Sequence, residues 1–69
     1  MTLNENEQKV FDRLNRCDKY GDRPTGMAED LIGNDLTINQ VKGYLSALYK
    51  KELIIDCELP NGLQGWQVL

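Results

Sequence analysis

A change of period at Glu52 constrains this chain more than any other feature. From Val41 through Tyr44, Leu45, Leu48 and Tyr49 the apolar residues recur at helical spacing. From Ile55 onward they alternate, with Ile55, Cys57 and Leu59 on one side and Asp56 and Glu58 on the other. A helix must therefore run almost directly into a strand. Asn61-Gly62, a strong short-range hairpin signal, follows. A two-residue turn there pairs Pro60 with Leu63, Leu59 with Gln64, Cys57 with Trp66 and Ile55 with Val68, placing the larger apolar residues on one face.

Upstream, Leu3, Val10, Leu14 and Cys17 share a narrow helical arc with Phe11 at its edge, which predicts an amphipathic helix from residue 4 to about 18. Asn4 followed by Glu7 forms a capping box at its start. Glu5/Lys9 and Asp12/Arg16 stand four apart in the favourable order and read as a solvated outer face. Residues 18–24 carry turn residues and read as a loop, with Pro24 disfavouring helix at Arg23. Thr25 is then expected to cap a short helix through Ile32, with Ala28, Leu31 and Ile32 inward and Gly33 as its stop. After a tight connection at 33–36, Thr37 and Gln40 form a second capping box that opens the long helix.

These 69 residues leave room for one domain, 1–69. The absence of His, with only Cys17 and Cys57 as thiols, supplies no metal-ligand set, and no cofactor is expected. Ser46 is the sole serine, and neither a nucleophile motif nor a phosphate-cradling loop is present, so enzymatic activity is not expected. The longest aliphatic run, Leu53-Ile54-Ile55, falls far short of the roughly 18 residues of a membrane span. With no membrane partner, no secretory leader at its start and few cysteines, the protein is expected in the cytoplasm. Both cysteines and Trp66 fall on apolar faces and read as core.

Two phrases carry a family resemblance: Leu3-Asn4-x-x-Glu7-x-x-Val10-Phe11-x-x-Leu14, and Leu36-Thr37-x-x-Gln40-Val41-x-x-Tyr44-Leu45-x-x-Leu48-Tyr49-Lys50-Lys51-x-Leu53-Ile54. With the order of elements, they resemble the MarR-like bacterial winged helix-turn-helix regulators, in which Gly commonly stands at the position of Glu52. The resemblance implies a mainly α domain with a C-terminal β-hairpin, of α+β class, built as three helices plus a wing. It also implies a transcriptional regulator that reads the major groove of double-stranded DNA with helix 37–50.

On that reading Asn39 and Gln40 pair with adenine, Lys42 reaches guanine or phosphate, Gly43 permits close approach, Ser46 adapts and Thr37 meets a phosphate, with Lys50 a further DNA-binding residue on the same outward strip. The wing residues are Asn61, Gly62 and Gln64. Charge qualifies the picture. The chain carries a net −3, but residues 37–51 hold three bases and no acid, whereas 52–69 hold three acids and no base. The helix can meet phosphate locally, and the wing offers no cation. An alternative from another class is a protein-interaction module, an antirepressor or inhibitor acting through its acidic surface. A homodimer would have to form through the first helix, the hairpin edge or a surface patch.

Overall fold

The structure is a computed structural model and describes residues 3–69. The elements are α1 (Glu5–Asn15), β1 (Lys19–Tyr20), β2 (Arg23–Gly26), one turn of 3₁₀ helix (Ala28–Leu31), α2 (Ile38–Lys50), β3 (Ile54–Glu58) and β4 (Gln64–Val68). Strands β2, β4 and β3 form an antiparallel sheet, and the two-residue β1 extends it beside β2 in the order β1-β2-β4-β3. Val10 and Leu14 of α1, Leu31 of the 3₁₀ turn, Val41, Leu45 and Leu48 of α2, and Ile54 and Val68 of the sheet close one core between the helices and the sheet.

The architecture corrects the expected three helices plus wing. Among the described residues there are two α-helices, and the α+β class alone remains compatible. The segment expected as a capped short helix divides into a strand and a single 3₁₀ turn. Thr25 is not a cap but a strand residue opposite Gln67. Its N–H donates to the Asp18 carbonyl at 3.1 Å, and its hydroxyl accepts from Gln67 Nε2 at 3.0 Å. Gly26 explains the choice: a Cβ there would lie 2.6 Å from Cys17 Sγ, so its small size lets β2 close onto α1. Part of the expected loop at 18–24 is likewise the β1–β2 hairpin, turned at Gly21 with φ 68°. Helix α1 ends earlier than the pattern predicts, at Asn15, with Cys17 just beyond it packed against the core.

The C-terminal hairpin exists but is shifted by one residue. Ile54 faces Val68, Asp56 faces Trp66, Cys57 faces Gly65 and Glu58 faces Gln64. The turn is responsible. Gly62 N–H donates to Leu59 O and Leu59 N–H to Leu63 O, both at 2.8 Å, while Gly62 takes φ 84°. Pro60, Asn61 and Gly62 thus make a three-residue loop, with Pro60 at the turn position that suits its fixed φ and Gly62 in the left-handed bulge position. The slip moves Ile54, Trp66 and Val68 to the helix side and leaves Ile55, Cys57 and Leu59 half-buried on the other side, so the apolar residues do not share one face.

Both capping boxes are present. In α1 the Glu7 N–H donates to Asn4 Oδ1 (2.7 Å) and the Asn4 N–H to Glu7 Oε1 (3.0 Å). In α2 the Gln40 N–H donates to Thr37 Oγ1 (3.2 Å) and the Thr37 N–H to Gln40 Oε1 (2.9 Å). Helix α2 ends in a Schellman arrangement: Leu53 N–H donates to Leu48 O and Glu52 N–H to Tyr49 O. Glu52, at the position where the resemblance expects glycine, adopts the glycine-like φ of 63°.

Candidate nucleic-acid interface

Helix α2 has two unlike sides. Val41, Leu45 and Leu48 are fully buried, whereas Asn39, Lys42, Gly43, Ser46 and Lys50 are exposed, as the helical period requires of residues on the far side. From residue 39 to residue 50 this strip runs about 16 Å along the helix axis. Thr37 and Gln40 are also exposed, but each has an internal task in the capping box. Gln40 Oε1 is committed to the Thr37 N–H, which leaves its amide NH2 for a partner.

Gly43 stands out. Nothing lies within 4 Å of a Cβ built on it, and its backbone is ordinary helix. A glycine in a helix interior costs about 1 kcal/mol relative to alanine. No contact among the described residues accounts for that cost.

Electrostatics thin out the basic block. Lys51 turns inward, its Nζ donating to both carboxylate oxygens of Glu7 at 2.8 Å. Glu7 is 6% exposed, so this pair joins the two helices across their buried side. The hydrogen bond from Lys51, aided by the Asn4 N–H and opposed by burial, holds the Glu7 carboxyl below the ordinary carboxylate range. Lys42 and Lys50 make no ion pair among the described residues, so two cations rather than three face outward. Sequence spacing cannot show this, because Glu7 and Lys51 are 44 positions apart.

On α1, Lys9 reaches Asp35 at 3.3 Å. Arg13 donates through Nη2 to the same carboxylate at 2.8 Å and through Nη1 to the Leu31 and Ile32 carbonyls at 3.1 Å. The Arg13 hydrogen bond chiefly lowers the Asp35 pKa. Glu5 lies 4.0 Å from Lys9, while Asp12 accepts from Gln8 Nε2 at 2.9 Å. Tyr44 Oη accepts from Asn6 Nδ2 at 2.9 Å, tying α2 back to α1.

The proposed wing residues divide. Gln64 shares with Lys42 a groove of 620 Å³ whose other walls include Met27, Glu29, Leu63 and Trp66. Asn61 shapes its own turn, its Oδ1 accepting from the Leu63 N–H at 3.1 Å, and Gly62 supplies the left-handed backbone. Trp66 is half-buried and meets Tyr49 edge-on, with ring centroids 6.1 Å apart. Cys57 is half-buried on the sheet's outer face rather than in the core, and burial raises the pKa of both thiols. The described residues contain no group of three or more His, Cys, Asp or Glu that could hold a metal ion. Nor does any described helix have the length and apolarity to cross a membrane. No protein-family model matches the chain, and no curated protein or solved structure is significantly similar to it.

Proposed function

We propose that this chain is a small DNA-binding protein, a cytoplasmic transcriptional regulator of the kind its 36–54 phrase resembles, which applies the outer strip of α2 to the major groove. Gly43 carries the reading. A helix-interior glycine with open space before it makes sense where another molecule's surface must come close. The neighbours suit a nucleic acid: Asn39 can donate to and accept from an adenine edge, Ser46 can do either, and Lys42 and Lys50 can meet phosphate or guanine. The hairpin tip, residues 60–64, has no cation and contributes little. Binding is led by one helix and is weak for a single copy.

Titration of labelled protein with mixed-sequence duplex at low salt tests the proposal. Amide shifts should centre on Asn39, Lys42, Gly43, Ser46 and Lys50. Two phosphate contacts predict an affinity falling with salt at a log–log slope of about −1.8. The double substitution Lys42→Glu, Lys50→Glu should abolish the shifts while the domain stays folded, since both side chains are exposed. Absence of shifts at low salt, or binding that survives the charge reversal, contradicts the proposal.

A further inference from the structure

Strand β3 is the outer strand of the sheet on the side away from β1. The bonds Leu69 N–H to Leu53 O and Leu59 N–H to Leu63 O make the odd-numbered residues of this stretch the ones hydrogen-bonded to β4. By the alternation of an antiparallel ladder, the main-chain groups of Asp56 and Glu58 point away from β4, along the open edge. Both side chains are exposed, and neither they nor Glu52 form an ion pair among the described residues.

At the start of the same strand lies a hollow of 530 Å³ lined by Tyr49, Lys50, Glu52, Ile54, Ile55 and Leu69. Tyr49 is 48% exposed and Leu69 55%. Tyr49 packs against Trp66, which pairs with Asp56, so the tyrosine sits on the same side of the sheet as the Asp56 side chain. Open main chain, uncompensated acids at alternate positions and a hollow walled in part by Tyr49, Ile54, Ile55 and Leu69 thus lie together.

We propose that the β3 edge receives an extended basic peptide segment, which adds as a strand with one apolar residue over Tyr49 and Lys or Arg at the next two alternate positions. Added main chain supplies affinity, and the alternation sets the pattern apolar-x-basic-x-basic or its reverse. The same acids disfavour a second copy of this chain, because pairing β3 with β3 would bring Asp56 and Glu58 against their own kind. They also disfavour a phosphate backbone, and although Lys50 belongs to both the α2 strip and the hollow, the acids and open main chain that carry this proposal lie outside the strip.

Two synthetic peptides, Thr-Leu-Thr-Lys-Thr-Lys-Thr and its reverse, each with a control carrying Glu in place of Lys, test it on the intact chain by calorimetry and amide hydrogen exchange. At least one Lys peptide should slow exchange at the Asp56 and Glu58 amides by tenfold or more. Exchange at Ile55 and Cys57, already in the ladder, should not change. The double substitution Asp56→Lys, Glu58→Lys should weaken binding by about tenfold or more, and Asp56→Asn, Glu58→Gln, which keeps size and polarity, should also weaken it. The proposal is overturned if neither Lys peptide protects those two amides, if the Glu controls bind equally well, or if protection grows with protein concentration alone, as pairing between copies would produce.

Discussion

Gly26 and Gly43 show how differently one residue type can be required. At the seam between β2 and α1, Gly26 is demanded from within, since a Cβ would meet Cys17 Sγ at 2.6 Å and Leu14 Cδ1 at 3.5 Å. On the outer face of α2, Gly43 meets nothing within 4 Å. The first glycine is a packing device that brings sheet and helix together. The second weakens its helix with no packing gain among the described residues, so it is no packing device. Glu52 completes the contrast: it occupies the left-handed position where a glycine would cost less and carries a side chain instead.

Substitutions at these positions distinguish the two glycines. Gly26→Ala should have the largest effect, destabilising the domain by about 1–3 kcal/mol in chemical denaturation through overpacking. Adding Cys17→Ala should recover much of that loss, and an additive double-mutant cycle would show that the seam is not the cause. Glu52→Gly should stabilise by about 1 kcal/mol by removing the left-handed penalty. Gly43→Ala should stabilise by slightly less than 1 kcal/mol, the helix-propensity difference alone. Loss of stability in that variant would mean that the site is crowded.

The pH response sharpens the picture at the helix contacts. Glu7 and Asp35 have carboxyl groups held below their ordinary values, chiefly by Lys51 and by Arg13 respectively. Their contribution is therefore complete above the ordinary carboxylate range and is lost as pH falls through the lowered folded values. Thermal denaturation followed from pH 6 to 2 should show stability dropping below about pH 4. Glu7→Gln should flatten part of that drop.

What the sequence disclosed follows the range of the interactions. Asn4 with Glu7 and Thr37 with Gln40 are three apart, so their capping boxes are legible, as is the period that separates Val41, Leu45 and Leu48 from Asn39, Lys42 and Ser46. The hairpin is legible from Asn61-Gly62, but its register is not, because Pro60 selects a longer loop than that pair alone suggests. Strand β2 escapes local reading: its partner Gln67 is 42 positions from Thr25, and Gly26 looks like a poor helix residue until Cys17 is seen beside it. The Glu7–Lys51 pair escapes for the same reason, and with it the reduction of the outward cations to Lys42 and Lys50. An open edge on β3 becomes apparent only once the strand order is known.

On the proposed function Gly43 answers to an approaching duplex rather than to the fold, and the Gly43→Ala variant, measured twice, separates the two. Denaturation and duplex titration at low salt should move in opposite directions: a domain more stable by slightly less than 1 kcal/mol, binding duplex about tenfold more weakly, a loss of roughly 1.4 kcal/mol. A variant that gains stability and binds duplex as well as the parent chain would show that Gly43 does not serve duplex approach.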